Sequence, residues 1–237
     1  MAGESPKKKL ILSENDDGDG DEDYDNGRTL GECKLNLAPR KKKLLVFYLN
    51  GLLVYKVFCF NKPGIPSDRT SDGKCGNHLV FKRAFAEEFI QFCLERFEVG
   101  IWTSAREKTV DGVLDCVMET LRSRLVFVWD QHQLWDHFEG KYSESDTLLI
   151  DDQPYKALLN PPYSGIFLDP YNPDNSNDNA LDPKKELGEY LDGLAVADDV
   201  RLYVKDNPFG QPAISSEHPD WNFYSDVLRK LGKDLHC

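Results

Sequence analysis

The hydrophobic pattern of the chain alternates between short apolar runs and longer segments with helical spacing. The run LLVFYLNGLLVY, residues 44–55, is broken by Asn-Gly, and it predicts a buried strand over 44–49 that stops at a tight turn. Later runs of the same kind predict three more buried strands: EVGIWTS, LVFVWD and DTLLIDDQP. The segments between them predict amphipathic helices, because their apolar residues recur every three or four positions: RAFAEEFIQFCLERF and REKTVDGVLDCVMETLRSR.

Strands separated by helices imply right-handed crossovers and an α/β fold: a Rossmann-like, mostly parallel sheet with helices on both faces. The piece VYKVFCF and the turn-rich loop after it predict a small β insertion after the first strand and no large cap domain. In such sheets the functional site lies at the carboxyl ends of the strands. The candidate residues at those ends are Tyr48, Asn50, Thr103, Ser104, Asp130, Asp151 and Asp152.

The composition divides the chain into three parts. Residues 1–42 include SENDDGDGDEDYDNG, which has too few apolar side chains to form a core, so we expect a disordered acidic tail. A calcium loop is disfavoured, because the glycine and glutamate it requires do not fall in register. Residues 43–210 form the predicted folded domain, and residues 211–237 form a tail with a short packed helix.

The net charge and the cysteines of the chain limit which partners it could bind and in which compartment we expect it. The net charge of −12 argues against direct nucleic-acid binding, which depends on clustered basic residues. Six cysteines without a C-x-x-C pair favour a reducing, intracellular compartment, and no apolar run is long enough to span a membrane. The basic clusters KKK (7–9) and RKKK (40–43) are weak nuclear addresses. We expect the nucleus or the cytoplasm; an acid-rich N-terminus disfavours a mitochondrial presequence.

Three segments resemble one known family. LNGLL, KRAFAEEFIQFCLERFEVGIWTS and TLLIDDQPYKALLNPP are similar to the Fcp-type or NLI-interacting-factor-like phosphatase domain of the haloacid dehalogenase superfamily, and most of all to its plant members. The resemblance covers roughly residues 43–210. It implies a magnesium-dependent protein serine/threonine phosphatase on a Rossmann-like sheet, a class that often acts on the C-terminal repeats of RNA polymerase II.

The first motif of the chain departs from the family pattern, which is usually D-x-D. The resemblance assigns the nucleophile position to Tyr48 and the acid-base position to Asn50. A phenol with an ordinary pKa of about 10 is mostly protonated at neutral pH and is a poor magnesium ligand. An amide has no proton to give a leaving group and cannot activate water. We therefore expect catalysis to be impaired.

The resemblance also assigns phosphate-binding positions. Thr103, or its neighbour Ser104, matches the family's hydroxyl residue, although a hydroxyl at a strand end is also a common helix N-cap. The family's charge-offsetting lysine has no clear counterpart, because a segment before Lys141 is missing. Lys141 would substitute only if its loop folded back, and a solvated lysine is the favoured alternative.

The last motif is the best preserved. Asp151 and Asp152 match the family's metal-holding pair, with a helix cap near Pro154 as the alternative role for one of them. The remaining metal ligand would be the backbone carbonyl of Asn50. Magnesium prefers complete octahedral oxygen sites, so we expect weak binding of Mg²⁺ or none.

Three functions remain open. The first is a catalytically impaired family member that is either a degenerate paralogue or a module binding a phosphorylated or acidic peptide through Thr103, Ser104 and backbone amides. The second is an active magnesium-dependent serine/threonine phosphatase whose site is rebuilt around Asp151, Asp152 and Lys141. The third, a subunit like the presequence receptor of the mitochondrial inner-membrane translocase, is disfavoured because no anchor or presequence is recognised.

Overall fold

The computed structural model describes residues 41–105, 107–129 and 141–232, which belong to one compact unit. The predicted acidic tail up to residue 40 and the candidate Asp130 lie outside the described residues. Within the described ranges, no helix is long and apolar enough to cross a bilayer.

Five parallel strands form the main sheet in the order β6-β5-β1-β7-β8. Their bounds are β1 Leu44–Tyr48, β5 Glu98–Trp102, β6 Phe127–Trp129, β7 Thr147–Asp151 and β8 Gly165–Phe167. β1 lies at the centre and is buried along its whole length, as expected for a continuous apolar run covered on both faces. The predicted α/β class with a parallel sheet is confirmed, and β8 is a further strand that the hydrophobic pattern did not predict.

The predicted small β insertion is confirmed as a second sheet with antiparallel order β2-β4-β3. Its strands are β2 Val54–Phe58, β3 Gly73–Cys75 and β4 His78–Lys82. The insertion therefore leaves the main sheet directly after the Asn-Gly turn and returns just before the first α-helix.

The helices are distributed unequally over the main sheet. They are α1 Ala86–Arg96, α2 Glu107–Met118, α3 Glu186–Val196, α4 Val200–Asp206 and α5 Trp221–Lys230, with 3₁₀ turns at Lys62–Gly64, Arg122–Arg124 and Pro154–Ala157. Leu45 and Phe47 of β1 join the large core cluster that contains buried residues of α1 to α4. The other face of β1 forms a smaller cluster in which, among the described residues, Ala157 of a 3₁₀ turn is the helical contribution. The described part of the chain thus places buried residues of four α-helices in one core cluster.

Two lysines of the basic run before β1 bind the carboxyl ends of helices. The Nζ of Lys42 donates to the carbonyls of Leu94 and Glu95, at 3.2 and 2.8 Å, in the last turn of α1. The Nζ of Lys43 donates to the carbonyls of Ala195 and Ala197, at 3.2 and 2.6 Å, at the end of α3. These carbonyls lack helical partners and carry partial negative charge. Part of the run that resembled a nuclear address is therefore used by the fold.

Replacing Lys43 tests this structural role. The side chain of Lys43 is only 7% exposed, so Lys43→Met keeps the apolar stem but leaves two carbonyls without their charged donor. We expect the free energy of unfolding, measured by urea denaturation, to fall by about 1–3 kcal/mol. Lys184→Met, at an exposed position, is the control and should change it by less than about 0.5 kcal/mol. Equal effects of the two substitutions would contradict the capping role.

Candidate functional site

The carboxyl ends of the three central strands bring the candidate residues together. Tyr48, the last residue of β1, pairs in register with Trp102 of β5, and Phe47 pairs with Ile150 of β7. The residues that follow in β5 and β7 therefore reach the same edge as Tyr48. Thr103, Ser104, Asp151 and Asp152 all lie at this edge, which we call the carboxyl edge.

The side chain of Tyr48 contacts three other residues of the site. It is 8% exposed, and its hydroxyl lies 2.6 Å from the Oγ of Ser104. The edge of its ring meets Trp102 in a T-shaped contact with 6.1 Å between ring centroids. The Nζ of Lys156 lies 3.2 Å from the ring centroid, over its face. The phenol therefore belongs to the packed interior of the site rather than to an open cleft.

Lys156 is a site residue that sequence reasoning missed. It lies on the 3₁₀ turn Pro154–Ala157, directly after the acidic pair. Its Nζ is 2.9 Å from Oδ1 of Asp151 and 3.2 Å from Oδ1 of Asp152, and its side chain is 14% exposed. The signal in the sequence is the spacing in DDQPYK, since a helical turn after Pro154 returns residue 156 towards the two acids.

The two carboxyl groups have different electrostatic environments. Burial raises the pKa of Asp151 to about 7, and the neighbouring Asp152 adds to this while the charge of Lys156 opposes it. Burial acts in the same direction on Asp152, but hydrogen bonds from Asp151, Gln153 and Lys156 outweigh it and lower the pKa of Asp152. Asp152 is therefore the more acidic member of the pair, and Lys156 is the positive charge that both members contact.

Local hydrogen bonds give structural roles to two of the candidate residues. Oδ1 of Asp151 accepts the backbone N–H groups of Asp152 and Gln153, at 2.6 and 3.0 Å, so it organises the turn after β7. The residue that caps the 3₁₀ turn is Gln153, without a side-chain cap bond. Oγ1 of the buried Thr103 accepts the N–H of Ala105 at 3.1 Å, which is the bond of a turn.

The Asn-Gly break in the first apolar run brings the loop against the acidic pair. Oδ1 of Asn50 accepts the backbone N–H of Lys56 at 2.9 Å, so the amide fixes the start of the insertion. Gly51 has a φ of +93°, and a Cβ atom there would lie 2.2 Å from Oδ2 of Asp152. Only glycine tolerates both the left-handed backbone and this close approach.

Lys141 lies away from the carboxyl edge. Its Nζ forms an exposed ion pair at 3.0 Å with Glu98, the first residue of β5. Glu98 pairs in register with Leu44, the first residue of β1, so this pair marks the opposite, amino edge of the sheet. The phosphate-binding role considered for Lys141 does not agree with this placement, because its ammonium lies at the edge opposite to the acids.

The residues at the carboxyl edge do not fit a magnesium ion. The Oδ1 atoms of Asp151 and Asp152 are both in contact with the ammonium of Lys156, and Oδ2 of Asp152 accepts the Nε2 of Gln153 at 2.9 Å. Oδ2 of Asp151 is buried without a hydrogen-bond partner among the described residues, so one carboxylate oxygen is left over. Magnesium takes one or two carboxylate ligands from the protein and completes its octahedron with water, but here three of the four carboxylate oxygens are already in contact with Lys156 or Gln153. The described part of the chain also holds no cluster of three or more typical metal ligands.

Comparisons with known proteins identify relatives. The family model described as NLI interacting factor-like phosphatase matches residues 43–201. A probable C-terminal domain small phosphatase of Dictyostelium discoideum is 26% identical over 175 residues, which is 70% of this chain and 55% of the relative. Ubiquitin-like domain-containing CTD phosphatase 1 of Danio rerio is 24% identical over 153 residues, 56% of this chain and 47% of the relative. The chain thus spans about half the length of the curated relatives it matches.

Solved structures of similar fold were also found. The structure of Fcp1, described as an essential RNA polymerase II CTD phosphatase, matches with a TM-score of 0.41 and 14% identity, covering 80% of this chain and 62% of that one. A fission yeast Fcp1 variant bound to beryllium fluoride matches with a TM-score of 0.40 and 16% identity, covering 83% and 68%.

Alanine substitutions at two glycines test the close approach of Gly51 to Asp152. Gly51→Ala adds a Cβ at a positive φ and also collides with Oδ2 of Asp152, whereas Gly76→Ala adds one at a φ of +55° with nothing within 4 Å. We expect Gly76→Ala to lower the free energy of unfolding by about 1 kcal/mol and Gly51→Ala by about 2–4 kcal/mol, measured by urea denaturation. If Gly51→Ala is no more destabilising than Gly76→Ala, the loop does not pack on the carboxylate.

Proposed function

Because the chain belongs to the NLI interacting factor-like phosphatase family, we propose that it keeps the family's fold without hydrolysing phosphate esters and acts as a binding module. The observation that carries this proposal is the position of Tyr48 at the end of β1, where the resemblance places the nucleophilic carboxylate. Its phenol bonds to Ser104 and its ring faces the Lys156 ammonium.

Tyr48 lacks the surroundings of an activated nucleophile. A general base must lie within hydrogen-bond reach of the proton it removes. The hydroxyl of Tyr48 has Ser104 as its described partner, while the nearby carboxylates bind Lys156. The Lys156 ammonium contacts the face of the ring and cannot accept a proton, so it is no general base for the phenol.

Asn50 lacks the chemistry of the second catalytic step. An amide neither donates a proton to a leaving alkoxide nor removes one from water. Its Oδ1 is also occupied by the backbone N–H of Lys56, which gives the side chain a structural role. An active phosphatase would therefore need both a nucleophile and an acid that the described residues at the end of β1 do not supply.

The ligand in this proposal is a phosphorylated or acidic protein segment bound at the carboxyl edge. Support comes from the curated relatives, which are named as phosphatases of C-terminal domains, and from the exposed position of Ser104 at this edge. A degenerate paralogue without any ligand is the competing outcome.

Hydrolysis assays test the loss of catalysis. We expect no turnover of an aryl phosphate or a phosphopeptide above background, with or without Mg²⁺. Turnover of about 1 per second or more, an ordinary enzyme rate, would overturn the proposal. Tyr48→Phe is the matched control, because it keeps the ring and removes only the hydroxyl; any activity that depends on the phenol is lost in it. Tyr48→Asp combined with Asn50→Asp tests whether the carboxylates alone restore turnover.

Peptide binding tests the module. Phosphorylated and unphosphorylated forms of the same serine-containing peptides are compared by fluorescence anisotropy. A preference of about tenfold or more for the phosphorylated form, equivalent to about 1.4 kcal/mol, supports a phosphopeptide module. Ser104→Ala should reduce that preference. Failure of every peptide to bind identifies a degenerate paralogue instead.

A further inference from the structure

The acidic pair at the carboxyl edge has a positive charge from the chain itself beside it. The Lys156 ammonium contacts one oxygen of Asp151 at 2.9 Å and one of Asp152 at 3.2 Å. We propose that the Lys156 ammonium takes the place of a divalent cation, so that this site is independent of Mg²⁺. The inference goes beyond the proposed function, because it concerns metal binding and holds whether or not the chain hydrolyses a phosphate ester.

The ammonium and a metal would compete for the same atoms. A magnesium ion binds carboxylate oxygens at about 2.0–2.1 Å, so an ion that bridged the two acids through their Oδ1 atoms would lie against a positive charge already in contact with both. Repulsion between the two cations opposes this arrangement, and the low exposure of Lys156 limits screening by water. The lysine would have to leave before a metal could enter.

Tyr48 matches the ammonium rather than a metal. Its ring face lies 3.2 Å from Nζ of Lys156, the geometry of a cation–π contact, and it offers that position no oxygen ligand. Its oxygen points to Ser104 instead. Tyr48 and Lys156 therefore form a complementary pair. Tyr48 offers no oxygen ligand to a metal, and Lys156 supplies the positive charge that a metal would have brought.

Removing the lysine should open the acidic pair to metal ions. Lys156→Met keeps an unbranched apolar side chain under the Tyr48 ring and removes the charge. We expect 10 mM Mg²⁺ to leave the melting temperature of the natural chain unchanged within about 1 °C, and to raise that of Lys156→Met by about 2–4 °C through linkage. Titration with Mn²⁺, followed by electron paramagnetic resonance, should show binding to Lys156→Met at least about tenfold tighter than to the natural chain.

Two further variants assign the effect to this site. Adding Asp151→Asn to Lys156→Met should abolish the gain in Mn²⁺ affinity, because one of the two carboxylates is then absent. Lys184→Met removes an exposed lysine and should gain nothing, which separates a local effect from the change in net charge. If Lys156→Met does not fold, Lys156→Gln replaces it, since its amide can still bond the carboxylates while carrying no charge.

Two results would overturn the proposal. One is Mn²⁺ binding by the natural chain as tight as that by Lys156→Met. The other is a folded Lys156→Met or Lys156→Gln variant that gains no metal affinity. These readouts measure metal binding alone, so they are distinguishable from a failure of the proposed function, which appears as hydrolysis by the natural chain or as a failure to bind any peptide.

Discussion

Two adjacent carboxylates at the end of a buried strand require a positive charge at the same place, and this constraint organises the whole carboxyl edge. Asp151 is fully buried and Asp152 nearly so. An uncompensated buried charge is strongly destabilising, by about 3–5 kcal/mol when a partner is removed. Lys156 provides the compensation from a short turn only a few residues away. The ring of Tyr48 covers that ammonium, and the Gly51 loop packs on the carboxylate of Asp152.

A second buried ion pair holds the loop that carries Gly51. Arg83 is 3% exposed and binds Asp178 at 2.9 Å, while its Nη1 donates to the carbonyls of Leu52 and Asp169 at 3.3 Å. The backbone N–H of Tyr171 adds a bond to the carbonyl of Gly51 at 2.8 Å. The loop after β1 is therefore fixed from the side of the insertion and from the segment after β8, which makes the position of Asn50 a property of the fold.

The order of buried strands predicted that Tyr48, Ser104 and Asp151 lie at one edge of the sheet. Parallel strands end at a common edge, and this does not depend on their side chains. It did not reveal Lys156, since a lysine in a polar turn has no periodic signal and its partners depend on the path of that turn. β8 was missed for a related reason: three residues after a proline-rich stretch are too few to show alternation. The family resemblance is confirmed by the match over residues 43–201, but it assigned no role to Lys156, although that residue lies within the segment TLLIDDQPYKALLNPP.

The contact between Tyr48 and Lys156 has an evolutionary consequence. An aspartate at position 48 while Lys156 remains would place a third carboxyl group beside two carboxylates that share one ammonium. Loss of Lys156 while Tyr48 remains would leave the acidic pair without its counter-charge. Each single step is therefore disfavoured in the background of the other, which is reciprocal epistasis between positions 48 and 156. The charge balance at the carboxyl edge is therefore a joint property of positions 48 and 156, and a change at one alters what the other can be.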